Sequence, residues 1–263
     1  CRSPLNDTHT HTHTHNRDGT TQIYMARVVR NTCLATPSLV ETGKENRDRN
    51  NHRDAYGIGK TEKGLFPEGS RTEEICSTSS VLVFRLTGGV CGSFSCVIKK
   101  GITPHAEEKI RKEREMYAKV GNHPNVLLLL DGWNEFLMLE SMEADLFHIV
   151  DALKEEGKLM ETNHAICTLR GMVSGLSHMH SLRIAHHDVK LENTLIGSGG
   201  RLKLCDLDHA RQYSEEETIC SSIQLGTVRY KAPETFVSPH DPFSADVWSL
   251  GVCAFALAQG KMP

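Results

Sequence analysis

The run AHHDVKLENTLI, residues 185–196, constrains this chain more than any other stretch. It sets Asp188, Lys190 and Asn193 within six residues, directly ahead of a short apolar strand from Thr194 to Ile196. An acid, a base and an amide crowded into one loop form a catalytic-loop pattern, since acid–base and electrostatic catalysis need such groups held in fixed positions. The turn GSGG and a second strand, Leu202 to Cys205, lead on to Asp206, and a polar segment then runs to GTVRYKAPE and ADVWSLGV. Upstream, Ile166, Leu169, Met172, Val173, Leu176 and Met179 recur at steps of three and four, which predicts one face of a long helix.

The first half of the ordered region reads differently. Val81 to Leu86 and Cys96 to Lys99 are apolar runs rich in branched residues, and the glycines of TGGVCGSFS between them suit a hairpin, so two antiparallel strands are expected. Ala106 to Val120 is charged, with Ile110, Met116, Tyr117 and Val120 as its few apolar positions, which predicts a surface helix with one buried edge. Val126 to Leu130 and Phe136 to Leu139 predict two further strands. Small strands followed by helices give an α+β chain with a strand-rich first lobe, a helical second lobe and a cleft between them where ligands bind.

Composition places the boundary of that unit. Of the first 70 residues 18 are hydrophobic, against 38 % for the whole chain, so residues 1–70 are expected to be disordered and 71–263 to form one globular domain. The alternating His9, His11, His13 and His15 resemble a metal-gathering tract but read better as a translated simple repeat, with a start at Met25. DAYGIGKT ends like a phosphate-binding loop, yet the leading glycine of that motif falls on Asp54 and no hydrophobic strand precedes it.

A formal charge of −3 lacks the basic excess of a nucleic-acid surface, so no nucleic-acid partner is expected. Nine cysteines, an odd number without CxxC pairs, and an opening without the apolar core of a signal peptide suit a reducing compartment. The expected location is the cytoplasm, with the nucleus as the alternative. Val247 to Gln259 falls short of the roughly 20 apolar residues of a membrane span and reads as a core helix, with no membrane partner. Oligomeric state has no signal in the sequence.

Taken in order, these motifs resemble the eukaryotic protein kinase family over roughly residues 75 to 263. The resemblance implies a bilobal kinase-like fold, ATP and Mg2+ as cofactors, and a protein substrate. Asp188 then corresponds to the catalytic aspartate that orients the substrate hydroxyl and accepts its proton, and Lys190 to the residue neutralising charge on the transferring phosphoryl group. Asn193 and Asp206 correspond to the magnesium ligands. Lys99 in CVIKK matches the lysine that contacts the α- and β-phosphates and pairs with a helix carboxylate, for which Glu115 is preferred because Met116 follows it, while Glu113 stays open. FLMLESMEADLF resembles the hinge, with Leu139 as gatekeeper and the backbone of Glu140 and Met142 facing adenine; Asp145 reads either as a ribose contact or as a helix cap. Lys190 and Thr227 resemble the serine/threonine branch, while Asp246 would hold the catalytic-loop backbone and Ala232, Pro233 and Glu234 would close the activation segment.

The sequence departs from the family at four points. EEICSTSSVLVF has no glycine where the glycine-rich loop belongs, so Cys76, Ser77, Thr78, Ser79 and Ser80 stand where ATP is cradled. Asp206, Leu207 and Asp208 read DLD for DFG. His187 stands in place of the arginine that grips a phosphorylated activation loop, so activation without loop phosphorylation is expected, and none of Tyr213, Ser214, Thr218, Ser221 and Ser222 is assigned as a phosphosite. Lys261 to Pro263 resembles the start of a segment that in the family continues into further helices, so the domain is expected to be C-terminally incomplete, with the apolar face of helix 247–259 uncovered. The competing expectation is a pseudokinase or fragment that binds a protein without catalysis.

Overall fold

The computed structural model describes residues 70–88, 95–217, 219–220, 225–237 and 239–263. The His–Thr repeat, the rejected phosphate-loop match, most of the 1–70 segment, Gly89 and Gly92 of the hairpin connection, and Thr218, Ser221 and Ser222 lie outside the described residues.

The first lobe is an antiparallel sheet of β1 (Arg71–Ser77), β2 (Val81–Thr87), β3 (Ser95–Gly101), β4 (Leu129–Trp133) and β5 (Phe136–Glu140), in the order β1-β2-β3-β5-β4. Side chains two apart share a face, so Phe84 and Leu86, Cys96 and Ile98, and Phe136 and Met138 make one buried layer. Helix α1 (Pro104–Val120) starts where Thr103 accepts the Ala106 N–H and Pro104 supplies a pre-set first turn. Its buried stripe is Ala106, Ile110, Glu113, Tyr117 and Val120. That stripe departs from the expected apolar edge by admitting a glutamate, which β3 makes tolerable by presenting a lysine to it.

The fourth strand begins later than the sequence suggested. Val126 and Leu127 do not pair with β5; Val126 bridges Leu204, and the Leu127 N–H donates to the Leu204 carbonyl at 2.8 Å. Their apolar character serves a junction with the second lobe, and strand pairing starts at Leu129.

The second lobe contains β6 (Ala144–Asp145), α2 (Leu146–Glu155), α3 (Thr162–Ser181), β7 (Ile184–Ala185), β8 (Thr194–Gly197), β9 (Arg201–Leu204), β10 (Arg211–Gln212) and α4 (Pro242–Gln259). Its core joins Leu146 and Ile149 of α2, Met172 and Leu176 of α3, Ile196, Leu202 and Leu204 of the β8–β9 hairpin, and Cys253 and Leu257 of α4. Of the expected α3 face, Met172, Leu176 and Met179 are buried and Leu169 packs against the core, whereas Ile166 and Val173 are half exposed and His164, Ala165, Thr168 and Gly175 are buried as well. Gly175 is buried by close approach, since a Cβ there would fall 2.5 Å from the Asn125 carbonyl oxygen. A third cluster, including Ile110, Tyr117, Val126, Leu137, Leu139, Met179, Ile184 and Leu207, draws on both lobes.

Helix α4 is capped by Asp241, which accepts the Phe243 N–H, and ends at Gly260 with φ 64°. Val247, Trp248 and Phe255 on it are exposed. Among the described residues no helix is long and apolar enough to cross a membrane.

Candidate active site

The β8–β9 hairpin organises the site. Thr194 pairs with Leu204, so the residues flanking that pair, Asn193 and Cys205, stand side by side, and the Cys205 N–H donates to the Asn193 carbonyl at 3.0 Å. Asp206 follows in the left-handed region, at φ 63° and ψ 74°, which a non-glycine residue adopts only when its surroundings enforce it.

The catalytic loop hangs on one buried carboxylate. Asp246 of α4, 2 % exposed, accepts the backbone N–H groups of His186 (2.7 Å) and His187 (2.8 Å) and a hydrogen bond from His180 Nε2 (2.9 Å). Burial opposes its ionisation, but the bond from His180 and the nearby histidines hold its pKa below the ordinary value. His186 Nε2 donates to the Cys205 carbonyl at 3.1 Å while its Nδ1 accepts the Asp188 N–H, tying loop to hairpin.

Asp188 and Lys190 meet across this loop. Asp188 Oδ2 lies 2.6 Å from Lys190 Nζ and 3.1 Å from Asn193 Nδ2, and Oδ1 accepts the Thr227 N–H at 2.7 Å. Lys190 Nζ also donates to Thr227 Oγ1 at 2.9 Å. Burial pushes Asp188 up, but the hydrogen bonds from Lys190 and Thr227 outweigh it and carry the group below its ordinary value, so the carboxylate is ionised. Gly226 allows this closure: its φ is 81°, and a Cβ there would lie 2.3 Å from the His187 carbonyl oxygen.

The first lobe contributes Lys99. From β3 its Nζ reaches Glu113 Oε2 and Asp206 Oδ1, both at 2.8 Å. Burial lowers a lysine, yet the two carboxylates outweigh it and hold Lys99 well above its ordinary value. For Glu113, burial pushes the carboxyl up to about 7 against the pull of Lys99. The preference for Glu115 is therefore corrected: Glu115 is half exposed and pairs with Arg111 at 2.7 Å on the outer face of α1, two residues round from the buried stripe. Helical spacing carries the signal, because Glu113 lies three residues after Ile110 and four before Tyr117.

At the lobe junction Leu139 is buried, and the Glu140 N–H donates to the Leu128 carbonyl at 3.1 Å. The Glu140 side chain accepts the Leu128 N–H at 2.7 Å and pairs with the buried Lys203 at 2.6 Å, so much of this residue staples the lobes together. Met142 is buried, with its sulfur packed on Gly197. Asp145 caps α2 by accepting the His148 N–H at 2.9 Å. Residues that the sequence did not single out for the site are His186, Lys203, and Tyr117, whose hydroxyl accepts the Asp206 N–H at 3.0 Å.

In place of a glycine-rich loop, β1 and β2 are joined by a turn closed by Thr78, whose Oγ1 accepts the N–H of Val81 (2.9 Å) and of Ser80 (3.3 Å). His187, deprived of a permanent charge, is hydrogen-bonded through Nε2 to the Tyr213 hydroxyl at 2.7 Å, and burial lowers its pKa to about 4.

The site is thus a lysine–glutamate pair, a hairpin aspartate and an acid–lysine–amide loop hung from a buried aspartate. Residues 92–263 match the protein kinase domain family, and the chain belongs to it. It is 35 % identical over 218 residues to serine/threonine-protein kinase GIN4 of Saccharomyces cerevisiae, covering 80 % of this chain and 18 % of that protein. It is 33 % identical to serine/threonine-protein kinase TIO of Arabidopsis thaliana over 64 % of this chain and 12 % of that one, and 35 % identical to serine/threonine-protein kinase 36 of Mus musculus over 54 % and 11 %. The chain thus spans less than a fifth of the length of each of these relatives.

Proposed function

We propose that this chain is the catalytic portion of a serine/threonine protein kinase, transferring the γ-phosphate of ATP to a protein Ser or Thr hydroxyl. The observation that carries the reading is the simultaneous engagement of Lys99 by Glu113 and Asp206, together with an ionised Asp188 bound to Lys190 and Thr227. The relatives named above, each a serine/threonine-protein kinase, support the same acceptor class.

In this reading Lys99 contacts the α- and β-phosphates, and the hinge backbone around Glu140 and Met142 meets adenine, with the Glu140 N–H already spent on Leu128. Asp188 accepts the proton of the attacking hydroxyl as its oxygen bonds to the γ-phosphorus and the bond to the β–γ bridging oxygen breaks. Lys190, held between Asp188 and Thr227, neutralises charge on the transferring group. Asn193 and Asp206 would hold magnesium. Their fit is supported by the chemistry of the donors: Asn193 turns its Nδ2 toward Asp188, leaving its amide oxygen as the free end, and Asp206 adds a carboxylate. Bound there, the ion would neutralise phosphate charge, a task that needs one or two protein oxygens rather than a full protein cage. A protein substrate with a Ser or Thr acceptor and a cytoplasmic location, with the nucleus as the alternative, complete the proposal.

The non-catalytic alternative draws on the glycine-free turn at Thr78 and on Asp208 in place of a glycine after Leu207. Phosphoamino-acid analysis of a mixed peptide substrate incubated with wild type and Asp188→Asn separates the two. Phosphoserine or phosphothreonine formed by wild type and reduced at least about 100-fold in the variant supports the kinase; equal signals from both proteins contradict it.

A further inference from the structure

The Asp206 N–H lies just past the end of the β9 ladder. The preceding N–H, that of Cys205, is taken by Asn193, and the N–H of Asp206 is met by the phenol oxygen of Tyr117 at 3.0 Å. Tyr117 is 2 % exposed and stands four residues after Glu113 on the same face of α1. Helix α1 therefore grips Asp206 twice, on the carboxylate through Glu113 and Lys99, and on the backbone through Tyr117.

We propose that the Tyr117 hydroxyl is a positioning group for Asp206: by accepting its N–H it fixes the peptide whose carboxylate is the proposed magnesium ligand, and so couples the seating of helix α1 to the placement of that ligand. The proposal rests on the kinase reading for the role of Asp206, while the coupling itself stands on the contacts.

Two features make the hydroxyl more than a consequence of packing. A phenylalanine would fill the same space beside Ile110, Met179 and Leu207, yet it would leave a part-buried N–H facing it without an acceptor, a larger loss than that of an ordinary exposed hydrogen bond. Asp206 occupies a left-handed conformation that needs support from its surroundings, and Leu207 behind it is fully buried, so the segment is held from both sides. Groups that hold a metal ligand in place commonly change metal affinity by roughly 10- to 100-fold when removed.

The test uses the full chain with Tyr117→Phe, and Tyr230→Phe as a control that removes a different buried phenol oxygen, the one donating to Glu192. Hydrogen exchange at the Asp206 amide, followed by NMR without metal or nucleotide, should accelerate about tenfold or more in Tyr117→Phe and stay within twofold of wild type in the control. The magnesium concentration that half-saturates ATP-induced thermal stabilisation should rise about tenfold in Tyr117→Phe alone. An unchanged Asp206 exchange rate in Tyr117→Phe overturns the proposal, as does accelerated exchange with an unchanged magnesium requirement. If wild type shows no response to magnesium and ATP, the kinase reading and the metal-placing role fall together. The exchange result then still decides whether Tyr117 holds the Asp206 peptide.

Discussion

The catalytic loop and the β1–β2 turn would face opposite ends of one triphosphate, and they are built differently. Asp246 is buried and accepts three hydrogen bonds, two of which fix the backbone of residues 186 and 187 while the third comes from His180, and Asp188 is in turn bound by Lys190, Asn193 and Thr227. Ser77 to Ser79 lie at the surface, in a turn closed by the hydroxyl of Thr78. In the proposed reading the groups for bond making are thus held redundantly by the core, whereas the phosphate contact expected of the turn falls to exposed backbone that can change its sequence without disturbing the fold. Loss of the glycines would then touch binding and leave the chemistry insulated.

That contrast breaks most visibly at Asp246. Asp246→Ala leaves the His186 and His187 N–H groups buried without an acceptor, and thermal or denaturant unfolding should show a loss of roughly 3–5 kcal/mol. Next in size is the pair on α1. Glu113→Gln removes a charge-assisted bond to Lys99 and should lower kcat/KM at least about tenfold, whereas Glu115→Gln disturbs an exposed pair with Arg111 and should change it less than about twofold. Reversal of that order would restore the assignment made from Met116.

A pH profile sharpens the same point. Because burial raises Glu113 from its ordinary value to about 7, this group favours the folded state below about pH 4.5, and that contribution is lost as the pH rises through 7. The ion pair with Lys99 forms over the same rise, so kcat/KM should climb severalfold between pH 6 and 8 while this group's contribution to stability falls. Glu113→Gln should flatten both trends. The smallest effect is expected at the turn: Thr78→Ala opens it and should move KM for ATP by about two- to threefold, with kcat unchanged.

The residues legible in the sequence are those whose role is set by neighbours in the chain. Asp188, Lys190 and Asn193 sit together because the loop is short, and Asp206 follows a strand that the sequence marks by its branched and apolar side chains. Glu113 was obscured because a charged residue in a helix ordinarily faces water; only Lys99, fourteen residues away on β3, makes its burial tolerable. Val126 and Leu127 look like a strand but spend their apolar side chains and backbone on the junction with Leu204. On α3 the periodicity marks Met172, Leu176 and Met179 correctly but misses Gly175, which is buried through close backbone approach that apolar periodicity does not register.

The most direct measurement is an ATP titration of phosphate transfer by the wild-type protein. The account predicts a rate that saturates with ATP, abolished by Asp188→Asn, with a half-saturation near or above about 1 mM because the turn lacks glycines. Absence of transfer at every ATP concentration, in protein shown to be folded, would contradict it.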